Sequence, residues 1–386
     1  MIFIRLKGYG FPIAIFLVSR VSMWIGLFLA LDIFQGSQSF GAAFYQIWIH
    51  WDASWYLSVV TRGYYYIPNA ESSSVFFPLL PILVRLGTFV TDPVTAGMLI
   101  ANLCTVFGYV LLYALVRLEF PNDEGIAKRT ILYIAFFPTA IFSSLIFTEG
   151  LLLLLTVAAI YFARRRLWSL SIAAAILACA THANGVLLVI PVALEWVRSH
   201  GLTLTTVFRR EAWRSLFSGL RAEPLTVLAI LLIPLGLISF MYYEYVTFGN
   251  LLLFFQAQSQ WGRLVGGLFA STTQQISRVF SGIVSGQYVS LEQLFNVAGF
   301  VLALPLSLVV WRKLGTTYGL FTLANIVIPV ATGLTSFARF TSILFPLFIV
   351  LALWGKHSAV HQVILTFFCV ILGVVIVVYA NNIFIG

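Results

Sequence analysis

Charge is scarce in this sequence. Only 9% of its 386 residues are Asp, Glu, Lys or Arg, and 61% are hydrophobic. A soluble domain carries roughly a quarter charged residues, so a water-facing surface for a chain of this length is excluded. Strict apolar/polar alternation is also missing. The apolar runs are long and continuous, which excludes a transmembrane barrel and favours helices whose backbone groups pair internally in lipid. Cysteine is rare too: Cys104, Cys179 and Cys369 lie far apart in apolar stretches. They offer neither a disulfide framework nor metal-ligand spacing and read as small buried apolar residues. No small-residue cleavage site follows the first apolar run, which contains Arg20 and is preceded by Arg5 and Lys7. That run is expected to be retained as a membrane span.

What is present are apolar segments of membrane length, roughly 20 residues where fully lipid-exposed. The expected spans are 11–31, 95–117, 130–147, 149–163, 167–181, 184–198, 225–244, 291–311, 317–332, 341–354 and 362–381, with the shorter ones as candidate half-helices. Residues 1–386 then form one all-α polytopic domain of about eleven transmembrane helices. The net charge of +9 reflects orientation in the bilayer rather than nucleic-acid binding. With the N-terminus inside, Arg20 falls within a span and Arg62, Arg85, Arg263, Arg278 and Arg339 fall outside. The other sixteen of the 22 Lys and Arg, including Arg164, Arg165 and Arg166, fall on the cytoplasmic side, as the positive-inside rule requires. The apolar stretch 76–91 contains two prolines and Arg85, and crossing there would invert everything downstream. It is expected to lie as an interfacial helix on the outer face. Two long outer segments follow, 32–94 and 245–290, with a basic cytoplasmic loop at 199–224 suited to anionic headgroups.

The polar residues with chemical potential cluster in outer segments. The first cluster is His50-Trp51-Asp52-Ala53-Ser54-Trp55-Tyr56, followed by Arg62-Gly63-Tyr64. A carboxylate at a bilayer edge is costly unless partnered or used. Asp52 is a candidate proton acceptor; the alternative is a helix cap or a pair with Arg62. The second cluster ends in Thr148-Glu149, where Thr148 could simply cap the helix that Glu149 begins. The third is Thr181-His182-Ala183-Asn184-Gly185, which is either a polar turn or a phosphate or sugar contact. The fourth gathers Gln256, Gln260, Trp261 and Arg263. There Trp261 suits the apolar face of a sugar and Arg263 suits phosphate oxygens; an interfacial aromatic belt is the alternative. The fifth is Ser336-Phe337-Ala338-Arg339-Phe340, whose lone arginine either clamps a phosphate or anchors the interface.

Together these strings resemble the GPI mannosyltransferase 2 family and its prokaryotic relatives. The resemblance rests on HWDASWY with RGY and FFPLLP, on FPTAIFSSLIFTEG, on the THANG turn, on FGN…Q…W and on SFARF…FP, in order over roughly residues 48–348. It implies a GT-C fold with interfacial helices in the first outer loop. The implied activity is inverting transfer of a hexose, mannose in the first instance, from a polyprenyl-phosphate carrier to a lipid or glycan acceptor. It also implies a place in a prokaryotic plasma membrane with the site facing outward. Asp52 becomes the expected catalytic base and Glu149 the second outer acid. His50, Trp51, Tyr56, Arg62, His182, Asn184, Gln256, Trp261, Arg263 and Arg339 are the expected substrate-binding residues. The chain departs from the family pattern at His182, where relatives commonly carry arginine. No metal or other cofactor is required by this scheme; a divalent ion bridging Asp52 and Glu149 is the alternative. Membrane lipids are expected partners and nucleic acid is not. The rival readings are a lipid-linked sugar flippase or other transporter, which needs a polar path through the midplane, and a non-catalytic subunit of the same fold.

Overall fold

A computed structural model describes residues 8–35, 45, 47–263 and 269–385. The basic pair Arg5 and Lys7, and parts of the segments 32–94 and 245–290, lie outside the described residues. Of the described residues, 77% are helical and none lies in a strand. The helices are α1 (Gly10–Gln35), α2 (Asp52–Arg62), α3 (Leu79–Gly87), α4 (Pro93–Glu119), α5 (Glu124–Ala135), α6 (Glu149–Arg164), α7 (Trp168–Cys179), α8 (Val189–Ser199) and α9 (Arg210–Ala222). They continue with α10 (Pro224–Leu231), α11 (Leu235–Phe248), α12 (Leu253–Gln256), α13 (Ala270–Ser285), α14 (Leu291–Leu314), α15 (Thr316–Val330), α16 (Phe337–Phe340), α17 (Phe345–Trp354) and α18 (Ser358–Ala380).

Among the described residues four helices, α1, α4, α14 and α18, are long and apolar enough to cross a membrane. Two bent pairs bring the number to six if each is one crossing: α10 with α11, at 45°, and the segment 337–343 with α17, at 74°. The sequence expectation of about eleven crossings therefore exceeds what helix length and composition establish. The clearest departure is 130–147, expected as one span: α5 stops at Ala135, ahead of Phe137-Pro138, and a buried irregular segment follows to Glu149. Proline disfavours helical geometry in the residue before it and has no N–H to donate. The nine residues of α3 rise about 13 Å, too short to cross, as expected for 76–91.

Large apolar side chains on α1 and α18, among them Leu17, Val21, Ile25, Val363 and Phe367, are exposed over much of the helix length. Continuous apolar surface of this extent belongs against lipid. In contrast, α6 is buried on most of its surface and packs along α4 and α7, at the centre of the bundle. Gly150 permits that packing: a Cβ there would stand 2.2 Å from Thr105 Oγ1 and 2.9 Å from the Ala101 carbonyl. Asp92 starts α4 by accepting the N–H groups of Val94 and Thr95, with Pro93 at the first helical position.

The 16 residues of α6 rise about 23 Å, and each end carries an ion cluster. At the C-terminal end, Arg164 pairs with Glu119 at 2.8 Å and Glu195 at 3.1 Å. Tyr318 donates to Glu119 and Thr317 to Glu195 there. Arg165, Arg166 and Arg198 belong to the same end. The N-terminal end begins with Glu149.

Candidate active site

Asp52, Glu149 and Arg339 come from three distant parts of the chain and form one ion triad. Arg339 Nη1 lies 2.8 Å from Asp52 Oδ2, and its Nε lies 2.8 Å from Glu149 Oε1. Local backbone geometry delivers two of the three. Trp51 holds a positive φ of 57° immediately before Asp52 begins α2. Ser336 holds 61° immediately before the four-residue α16 that carries Arg339. Such conformations cost a non-glycine residue about 1–3 kcal/mol, and both residues line the same cavity. The α16 backbone is pinned by Asn296, whose Oδ1 accepts the Ala338 N–H, and by the Thr139 and Thr341 hydroxyls, which donate to the Ala338 carbonyl.

Glu149 arrives by another route. The irregular segment ahead of it is held from behind by a buried cation, Arg20, whose Nη2 donates to Ser143 Oγ at 2.8 Å and to the Tyr109 hydroxyl at 3.1 Å. Thr105 donates to the Ser143 carbonyl and Asn102 to that of Ser144. Neither cap expected as an alternative is formed. Thr148 makes no side-chain cap and instead lines the cavity together with Tyr56. Asp52 is separated from Arg62 by the length of α2 and pairs with Arg339 instead.

The triad opens on a cavity of about 500 Å³. Trp51, Asp52, Tyr56, His182, Asn184, Trp261, Arg263 and Arg339, all expected site residues, line it. Glu149 lies behind Arg339, almost fully buried. Three expected residues stand elsewhere. His50 packs its ring on Tyr379. Arg62 is exposed at the far end of α2. Gln256 is exposed and accepts a hydrogen bond from the Asn250 amide. The structure adds Trp55, Glu71, Phe76, Phe77, Gln258 and Thr335 to the lining. Trp55 follows Asp52 by three residues and so shares its helical face, a signal readable in the sequence. The rings of Trp55, Phe76 and Trp261 form one wall, with Trp55 stacked on Phe76 at 5.7 Å and set edge-on to Trp261 at 5.0 Å.

The two arginines of the cavity differ. Arg339 is occupied by two carboxylates and enclosed by the Phe142, Phe147 and Phe340 rings. Arg263 has no carboxylate within ion-pair distance among the described residues; its Nη2 donates to the Thr335 carbonyl, and it sits 5.8 Å from the centre of the Phe340 ring. Burial, reinforced by the neighbouring Arg339 charge, pulls Arg263 down to about 10, which leaves it a cation at neutral pH. Burial first, then the Arg263 and Arg339 charges, pulls His182 down to about 3. His182 is therefore neutral, and its Nδ1 accepts the Asn184 N–H at 3.1 Å. It can meet an anion as a donor but not as a counter-charge. Burial and the two carboxylates push the Tyr56 hydroxyl upward, so it stays protonated. The buried indole N–H groups of Trp51 and Trp261 have no protein partner, which leaves two donors for a ligand. Arg339 itself occupies the position between the two carboxylates that a bridging divalent ion would need. No group of three or more metal-ligating side chains occurs among the described residues.

Lipid-facing helices around an acid–arginine cavity with aromatic walls define an integral membrane protein with a site suited to a polar, anionic substrate. The family described as Mannosyltransferase (PIG-V) matches residues 37–318, close to three quarters of the chain, and the chain belongs to that family. It is accordingly a membrane glycosyltransferase, acting on a sugar donor and an acceptor. The match takes in Asp52, Glu149, His182 and Arg263 and ends ahead of Arg339. A comparison with curated proteins finds none that matches.

Proposed function

We propose that the protein transfers a hexose, mannose by family, from a polyprenyl-phosphate carrier to a hydroxyl of a lipid or glycan acceptor at the non-cytoplasmic face of a prokaryotic plasma membrane. Asp52 takes the proton of the acceptor hydroxyl. The acceptor oxygen then forms the new bond to the anomeric carbon while the carbon–oxygen bond to phosphate breaks, which inverts the anomeric configuration and releases polyprenyl phosphate. Arg263, the cation free of a carboxylate, receives the phosphate charge, and the neutral His182 assists as a donor. Arg339 orients Asp52, and Glu149 holds Arg339. Trp261 and Trp55 face the sugar. The fold is read as GT-C, with the short apolar helices and bent pairs completing about eleven crossings.

The observation that carries this reading is the Asp52–Arg339–Glu149 triad opening on the same cavity as Arg263. Transport is less well supported: between its charged ends, α6 buries Leu151, Leu152, Leu153, Leu155, Val157 and Ala158 with one hydroxyl, Thr156, and no charge, which makes a poor path for a polar substrate. The deciding experiment incubates purified protein with labelled polyprenyl-phosphate mannose and a lipid extract. Asp52→Asn is expected to lower transfer by about 10²–10⁴-fold, the range of a lost general base, with donor binding retained. Wild-type rates in that variant sink the assignment.

A further inference from the structure

A second and larger hollow, about 890 Å³, lies between the α2–α3 pair and helices α7 and α11. Its wall is unequal. Ile82, Leu86, Ile176 and Leu177 give it a hydrocarbon face. Gly236 lets α11 close against α7, since a Cβ there would stand 2.1 Å from the Ile176 carbonyl oxygen. Arg62 and Arg85 line the same hollow, and neither has a carboxylate within ion-pair distance among the described residues. Arg85 Nη1 donates to the Val60 carbonyl at 2.6 Å, which fixes the side chain across the α2–α3 junction. Two unpaired guanidinium groups beside an apolar trough match a phosphate headgroup on a hydrocarbon tail.

The catalytic cavity does not account for this hollow. Phe77, which lines the cavity, packs on Phe240, and Phe240 on Tyr64, at 5.1 and 5.5 Å, forming a partition between the two spaces. The 11 residues of α2 place Arg62 about 15 Å along the axis from Asp52. A phosphate on Arg62 is thus remote from the reacting atoms, and its lipid is not consumed.

We propose that the hollow binds one anionic phospholipid of the surrounding leaflet, with its phosphate on Arg62 and Arg85 and a chain along α7 and α11. The bound lipid braces the C-terminal end of α2, the helix whose first residue is Asp52.

The test uses full-length protein in phosphatidylcholine nanodiscs, with and without phosphatidylglycerol. Bound lipid is read by native mass spectrometry and transfer by the labelled-sugar assay. Wild-type protein is expected to retain one phosphatidylglycerol and to gain about fivefold in transfer rate, the low end of ordinary coupling between sites. Arg62→Gln with Arg85→Gln is expected to lose both the retained lipid and the gain. Ser239→Phe, which fills the hollow from α11, is expected to do the same while keeping the phosphatidylcholine-only rate; it carries the test should the double variant misfold. Unchanged retention and stimulation in the variants overturn the proposal. So does displacement of the retained lipid by polyprenyl phosphate or by the acceptor, which would make the hollow a substrate groove. Retention is read by mass without any turnover, so failure of the sugar-transfer reading leaves that result standing.

Discussion

At the scale of single residues, the two cavity arginines have separable roles. Arg263→Gln is expected to weaken donor binding by about 10- to 100-fold, the worth of hydrogen bonds to a charged group, as a rise in donor KM at unchanged protein stability. Arg339→Met leaves two carboxylates without their cation. Removing one partner from a buried ion network costs about 3–5 kcal/mol, so a lower Tm should accompany the loss of activity. His182 gives a pH signature. Its folded-state pKa lies below the ordinary histidine value, so the unfolded chain binds the extra proton first on acidification. The stabilising contribution of neutral His182 is full above about pH 6.5. It is lost as pH falls toward about 3, because the unfolded state holds more protons across that window. Denaturation midpoints of His182→Gln should therefore fall less steeply with acid than those of the wild type.

At the scale of elements, the irregular segment 136–148 decides where Glu149 stands. Gly150→Ala should raise helix propensity yet lower stability by about 1–3 kcal/mol, because a Cβ overpacks the α4–α6 contact; thermal unfolding in detergent would show the sign. The sequence made α1, α4, α14 and α18 legible because lipid-facing helices are uniformly apolar over their whole length. It misread 130–147 because buried irregular backbone is as hydrophobic as a span. The corrective signals, Phe137-Pro138 and the Ser143-Ser144 pair, were present but outweighed by hydropathy. Asp52, Glu149 and Arg339 were readable singly as costly charges. Their pairing was not, since 287 residues separate Arg339 from Asp52. Arg62 and Gln256 were expected from the RGY and FGN…Q…W strings, and the rise of α2 and the Asn250 contact carry them away.

At the scale of the whole molecule, α6 carries an ion cluster at each end, one with Arg164 and one with Arg339. On the proposed orientation, Glu71→Cys, which lines the cavity, should react with a membrane-impermeant maleimide added outside. Thr205→Cys, near the Arg164 cluster, should react only after the membrane is opened. Both belong in a background without the three native cysteines. The reverse pattern would turn the cavity toward the cytosol.

Because one guanidinium grips both acids, the charge of Arg339 is satisfied while the cavity is at rest. On the proposed chemistry, a proton reaching Asp52 dissolves half of that grip just as negative charge gathers on the departing phosphate. The triad would then release positive potential into the cavity in step with bond breaking, with no helix having to move.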